Sequence, residues 1–271
     1  MTHSSEQWAQ DRGERWVASL DGIEAMLAPV DSPLLAALDL DGARRVAEIG
    51  CGGGATSREI LRRVQDCEVH GFDISPAAVR AAETRVPGAH FHVADAQRWS
   101  PEQPFDRLCS RFGIMFFDDP GMAFGNLCRW LAPGARVAFA VWARPDANPW
   151  MTAVRDAVDA VAPVPKPVPG QPGPFRYADE SELLSLLESS GFRDVRAESW
   201  RGLLPIGGGL DADKAAGFAL TAFATFAEVL REAGPEASER AHQDLRERFE
   251  PHQRKGAVEM DAHVHLVTAV S

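Results

Sequence analysis

From Arg44 onward the chain alternates short apolar runs with stretches of helical periodicity, and this alternation restricts the available folds more than any other feature. The runs are 45–49, 68–72, 90–93, 105–109 and 136–142, and expected helices lie between them at 55–64, 76–84 and 122–131. Strands joined through helices at this spacing run parallel, with right-handed crossovers that cover both faces of the sheet. The expectation is a doubly wound α/β fold. Ahead of it, residues 6–41 read as helical, because Trp8, Trp16, Val17, Leu20, Ile23, Met26 and Leu27 recur at helical spacing and Pro29 and Pro33 punctuate the run. Residues 1–41 thus form an expected N-terminal helical cap.

Beyond Trp142 the regularity loosens. A helix is expected over 151–162, followed by PVPKPVPGQPGPF at 163–175, whose alternating prolines favour extended polyproline II and disfavour sheet pairing. That segment reads as a stiff surface connection, with a ligand for a proline-reading domain as the alternative. A helix over 179–190 stopped by Gly191, a strand over 194–200, a flexible joint at Gly207-Gly208-Gly209, helical stretches over 212–232 and 238–249, and a strand-like run over 260–270 complete the chain.

Composition narrows the function. Of 271 residues, 45% are hydrophobic and 25% charged, as in ordinary soluble domains. With 39 acidic residues against 28 Lys and Arg, the net charge is −11, which repels phosphate backbones and anionic lipid, so neither nucleic acid nor a membrane is an expected partner. The N-terminus lacks a signal-like apolar core, and the longest strongly apolar stretch, 137–143, is far below the ~18 residues of a membrane span. Cys51, Cys67, Cys109 and Cys128 have neither zinc spacing nor the density of a disulfide framework. No metal is expected, and reduced thiols fit a cytoplasmic location.

The segment VAEIGCGGGATSREI places a strand before a glycine cluster and a helix after it. The spacing Gly50-x-Gly52-x-x-Ala55 satisfies the loose dinucleotide pattern, and Asp73 follows where a ribose-binding carboxylate belongs. A tight turn with no ligand is the alternative. Glu48 weighs against a pyrophosphate on this loop, because like charges ~4 Å apart cost roughly 4 kcal/mol at an effective dielectric near 20. It favours a ligand carrying an ammonium group, such as S-adenosylmethionine, whose carboxylate would use the amides of the loop and helix N-terminus. The alternative for Glu48 is a carboxylate that only accepts hydrogen bonds from the turn.

EIGCGGG at 48–54, FDIS at 72–75, ADAQ at 94–97, FDRLCSRFGIMFF at 105–117 and LAPGARVAFAVW at 131–142 resemble, in order and spacing, the successive motifs of class I S-adenosylmethionine-dependent methyltransferases. The resemblance covers about residues 40–145 and is closest to small-molecule enzymes related to the quinone-biosynthesis methyltransferases. It implies a seven-stranded Rossmann-like sheet in the order 3-2-1-4-5-7-6 with strand 7 antiparallel. The core would comprise 42–200 and 258–271, and a helical lid 201–257. It also implies site roles. Glu48, Gly50, Cys51 and Gly52 would hold the methionine moiety, Asp73 the ribose hydroxyls, and Ile74 the adenine. Asp95 would accept from the adenine amine beside Ala96 and Gln97, with a turn or helix cap as its other role. Ser110 and Arg111 would approach the cofactor, Arg111 having an ion-paired side chain as its alternative.

In-line methyl transfer needs a nucleophile at about 3–3.5 Å, so alignment and exclusion of water carry much of the rate and a base is optional. Candidate bases are Asp118, His263 and His265. Trp16, Phe112, Met115, Phe116 and Trp142 are the expected acceptor contacts, with Trp8, Trp150, Phe218, Phe223 and Phe226 available to close over them. The resulting expectation is methyl transfer to oxygen, nitrogen or carbon of a small aromatic or hydrophobic metabolite, as in secondary metabolism. A nicotinamide-dependent oxidoreductase and a non-catalytic S-adenosylmethionine-binding protein are the competing readings, and a homodimer is compatible with all of them.

Overall fold

The computed structural model describes residues 5–271; the first four residues of the expected cap lie outside them. One sheet organises the chain. Its strands are β1 (Arg45–Ile49), β2 (Glu68–Asp73), β3 (His90–Val93), β4 (Phe105–Arg111), β5 (Leu131–Trp142), β6 (Arg193–Pro205) and β8 (Ala257–Val270), in the order β3-β2-β1-β4-β5-β8-β6, while the two-residue β7 (Gln253–Arg254) pairs only with β8. Leaving β7 out of the count, this is the expected order. β1 pairs in parallel with β2 and β4, and β8 is antiparallel to both β5 and β6. The central β1 is buried along nearly its whole length, as a strand covered on both faces must be.

The crossover helices are α5 (Ala55–Arg63), α6 (Pro76–Arg85) and α7 (Pro120–Arg129). α6 starts where Ser75 accepts from the Ala78 amide and Pro76 occupies the first turn, and α7 repeats the device with Asp119 and Pro120. α8 (Pro149–Asp159) and α9 (Glu180–Ser189) flank the second half of the sheet, with Gly191 at φ +100° ending the latter.

Short helices α1 (Ser5–Ala9), α2 (Asp11–Ala18), α3 (Leu20–Leu27) and α4 (Asp31–Leu38) form the N-terminal region. Between β6 and β8 lie α10 (Ala212–Ala222), α11 (Ala224–Ala233) and α12 (Pro235–Phe249). Phe223 takes an extended conformation and breaks the expected 212–232 helix in two. Other differences have local causes. β6 runs past Trp200 to Pro205 because residues 201–205 pair with 259–263 of β8, so the inserted helices begin after Pro205. Gly207, Gly208 and Gly209 form a packed turn: all have positive φ, and a Cβ on Gly208 would lie 2.8 Å from that of Ala25. Among the described residues no helix is long and apolar enough to cross a membrane.

Candidate functional site

The C-terminal ends of the parallel strands open into a cavity of about 1170 Å³. Glu48 and Ile49 reach it from β1, Asp73 from β2, Asp95 and Ala96 after β3, Arg111 from β4 and Trp142 from β5. This is where an open α/β sheet presents its loops to a ligand. α2 closes one side, the 165–178 segment another, and residues 222–226 a third.

The glycine loop is held from below. The Gly50 and Cys51 amides donate to the Phe72 carbonyl, the Gly52 amide to Asp73 Oδ2 at 3.0 Å, and the Gly54 amide to the Cys51 carbonyl. These four amides therefore fix the turn, so a ligand carboxylate would use the remaining amides of the loop and the helix N-terminus. Close approach sets the residue type. A Cβ on Gly50, at φ +67°, would lie 2.9 Å from the Cα of Gly113 in the loop after β4. One on Gly53 would fall 2.4 Å from Leu20 and 2.5 Å from Glu24 in α3.

Beneath the loop sits a buried polar cluster. Glu48, 2% exposed, accepts a short hydrogen bond from Ser57 Oγ. Asp31 of α4 accepts from Thr56 Oγ1 at 2.8 Å and pairs with Arg111 Nη1 at 2.8 Å. Burial pushes the Glu48 carboxyl up to about 8, opposed by the Ser57 hydrogen bond and the Arg111 charge. At neutral pH Glu48 is thus largely protonated, and its attraction for an ammonium group requires that the group's arrival ionise it. Arg111 is an ion-paired side chain that also lines the cavity.

Asp73 binds the Gly52 amide with one carboxylate oxygen and the Ser75 amide with the other. A carboxylate has about four acceptor positions, so these bonds leave acceptor capacity for a diol hydroxyl. Asp95 accepts from the Gln97 amide and side chain, so it caps a turn while lining the cavity. Gln97 does not line the cavity; its Oε1 accepts from the Asp119 amide. Nor does Ser110, which is fully buried, donates to the Ile49 carbonyl and accepts from Gly113, stitching β1 to the loop after β4. Cys51, Gly52, Ile74 and Ala96 line the wall.

The acceptor contacts converge. Trp16, Phe112, Met115, Phe116 and Trp142 all line the cavity, joined by Trp8, Trp150, Phe223 and Phe226, whereas Phe218 packs behind the wall. Phe112 stacks on Trp142 with centroids 4.0 Å apart and planes 6° from parallel. Its φ of +62° is costly for a residue with a Cβ and is fixed by the hydrogen bond its amide donates to the Ala140 carbonyl and by the stack.

The candidate bases do not converge. His263 Nε2 lies 3.0 Å from Ser199 Oγ, and His265 Nε2 3.2 Å from the Ala178 carbonyl and 3.3 Å from Glu180. Both are buried between β8 and its neighbours rather than facing the cavity, because the face of β8 that carries them is packed. Asp118 is exposed and outside the cavity wall.

The sequence reading missed several wall residues. Glu24 lines the cavity, with Oε2 accepting from Arg85 Nη2 at 2.6 Å and Oε1 buried without a hydrogen-bond partner among the described residues. Arg12, Arg15, Arg155 and Arg176 also line it, as do residues 165–175 and Ala178, so the proline segment is a wall and not merely a surface connection. For Arg12, Arg15, Glu24 and Arg155 the only signal in the sequence was a polar residue on a helix that carries apolar ones.

With this geometry in view, comparison with known proteins is decisive for the core: residues 46–134 match the methyltransferase domain family. That segment, about a third of the chain, is similar to a methyltransferase domain. The domain is 35% identical over 105 residues to a trans-aconitate 2-methyltransferase of Methylobacterium radiotolerans, covering 39% of this chain and 40% of that protein. It is 32% identical over 100 residues to a malonyl-[acyl-carrier protein] O-methyltransferase of Ilyobacter polytropus, covering 36% and 37%. The matches thus span about two fifths of these relatives, and the cap, the proline segment and the inserted helices lie outside the matched family region. In fold the methyltransferase domain and its additions resemble the YcgJ protein of Bacillus subtilis, with a TM-score of 0.56 and 16% identity over 91% of this chain and 97% of that one.

Proposed function

We propose that the chain transfers a methyl group from S-adenosylmethionine to a small organic acceptor bound against the aromatic wall. The observation that carries the reading is the juxtaposition, in one cavity, of Glu48, the glycine loop and Asp73 with the Phe112–Trp142 stack. The residues present fit the cofactor. Asp73 retains acceptor positions for ribose hydroxyls, Glu48 lies where an ammonium group can ionise it, and Ile74 and Ala96 offer an apolar slot for adenine. When bound, the cofactor supplies an electrophilic methyl on a sulfonium.

The chain's own contribution is binding, orientation and exclusion of water. Phe112, Met115, Phe116, Trp142 and Trp150 present a largely apolar surface to the acceptor. Such a lining favours a flat or greasy body and lets alignment supply the rate, with no side chain in the role of base. The relatives' names, trans-aconitate and malonyl-acyl carrier protein, belong to molecules with free carboxylates, so an apolar acceptor bearing an acid group is the finer form of this proposal. We place the protein in the cytoplasm and treat the inserted helices as a lid over the acceptor.

Calorimetry with S-adenosylhomocysteine tests the core of the reading. Saturable binding is expected, and Asp73→Ala should weaken it by about 1.5–3 kcal/mol, the scale of charge-assisted hydrogen bonds. A protein that ignores S-adenosylhomocysteine and binds a pyridine dinucleotide instead would be an oxidoreductase. One that binds S-adenosylhomocysteine but methylates nothing in a metabolite extract would be a sensor.

A further inference from the structure

Two arginines of the cavity wall stand apart from the others. Arg111 is paired with Asp31, and Arg15 with Glu228 at 2.8 Å, with Arg12 3.9 Å from the same carboxylate. Arg155 of α8 and Arg176, at the end of the proline segment, have no carboxylate partner among the described residues. Arg155 Nη2 donates to the carbonyls of Val164 and Pro165, at 3.1 and 3.0 Å, and Arg176 Nη1 donates to the carbonyl of Phe117. These bonds to neutral carbonyls position the two guanidiniums without cancelling their charge. Arg176 Nε is moreover buried with no acceptor. With Nη1 held by Phe117, the edge formed by Nε and Nη2 is the one left for a two-pronged acceptor.

Carboxylates are plentiful in this chain, 39 against 28 cationic side chains, so leaving two half-buried guanidiniums unpaired in a cavity is uncommon. The two acids on the same wall, Asp179 and Glu182, are both exposed to solvent, and Asp179 is occupied in capping α9 through the Ser181 amide. We propose that Arg155 and Arg176 form an oxyanion subsite that orients the acceptor by a carboxylate while its apolar body lies on Phe112, Phe116 and Trp142. The planar guanidinium fork matches a carboxylate edge to edge, and partial desolvation strengthens the pairing. The inference rests on the methyltransferase reading for the acceptor's purpose, but the subsite itself is a property of the cavity.

The test is calorimetry on the full chain saturated with S-adenosylhomocysteine, titrated with cinnamate, its uncharged amide and phenyl phosphate. Cinnamate should bind about ten to a hundredfold more tightly than the amide, the range set by charge-assisted hydrogen bonds, and should weaken as salt is raised. Arg176→Gln and Arg155→Gln should each reduce that preference while leaving the amide's affinity and the S-adenosylhomocysteine affinity in place. Arg176→Lys, which keeps the charge and loses the fork, should fall between. Equal binding of cinnamate and its amide in the wild type, absence of binding by both, or an undiminished preference in both Gln variants would overturn the proposal. Tighter binding of phenyl phosphate than of cinnamate would overturn the carboxylate in favour of a phosphorylated acceptor. Should a Gln variant fail to fold, the wild-type preference and its salt dependence still decide. A protein that takes up cinnamate but not S-adenosylhomocysteine would retain the subsite and lose the methyltransferase reading.

Discussion

Glu48 shows how the place of a residue is legible in a sequence while its charge depends on the fold. Its place two residues before Gly50 was visible in the sequence, and its protonation was not, because that depends on Ser57, Thr56 and Asp31 closing around it. Burial raises its pKa to about 8, so the free protein holds the proton below that pH, whereas a bound ammonium group favours the carboxylate. Binding of S-adenosylmethionine near pH 7 should therefore release a proton, and affinity should climb from pH 6 towards 8, by up to about tenfold per unit. Calorimetry in buffers of different ionisation enthalpy reads the proton directly, and Glu48→Gln should remove it. Gly113 was not visible in the sequence as a site residue. A Cβ there would lie 2.9 Å from the Ile49 carbonyl oxygen and 3.0 Å from Gly50 Cα. Gly113→Ala should cost about 1–3 kcal/mol in chemical denaturation, the price of overpacking against backbone, and should loosen cofactor binding with it.

Among elements, β1 to β5 and the helices between them could be read from periodicity because each carries its apolar pattern within a short continuous stretch. What could not be read depends on partners distant in sequence. The length of β6 is decided by its ladder with β8, and the role of 165–178 by the cavity it borders. The contact of α4 with the strand ends is another such case: Asp31 and Arg111 are 80 residues apart and nearly buried, with side chains 10% and 9% exposed. Removing one member strands the other, which costs about 3–5 kcal/mol when the survivor stays charged. Arg111→Met should therefore destabilise the protein at pH 7. Burial already raises the Asp31 pKa, so protonation can relieve the unpaired charge, and the loss should shrink as pH falls. Thermal melts of Arg111→Met at pH 7 and pH 5 check both statements, and adding Asp31→Leu should recover part of the loss.

At the scale of the whole molecule, acid acts through the edge of the sheet opposite β6. His70 Nδ1 lies 3.1 Å from His92 Nε2, and the His70 and His90 rings are 4.9 Å apart. Burial, then the charges of Arg45, His90 and His92, lower the His70 pKa to about 4, with Glu68 acting the other way. A histidine depressed in the folded state contributes stability that is complete above its unfolded value near 6.5 and disappears as pH falls towards 4. Between pH 7 and pH 5 the wild type should lose about 1–2 kcal/mol through this group, and His70→Gln should lose less over the same interval, measured by urea midpoints. The buried carboxylates Glu48 and Asp31 act in the opposite direction, so the difference between the two proteins, rather than either curve alone, isolates the histidine.

The placement of β8 between β5 and β6 bears on how the molecule comes into being. A ribosome delivers β5 more than a hundred residues before the strand that must lie beside it, and β6 has no neighbour in the sheet until that strand arrives. Throughout that interval the nascent chain displays an open strand edge, the kind of surface that attracts other chains or a chaperone. Residues 257–270 must clear the exit tunnel before the ladder can close. Slowing translation between the codons for β5 and those for β8 should therefore lower the yield of soluble protein more than slowing it ahead of β5.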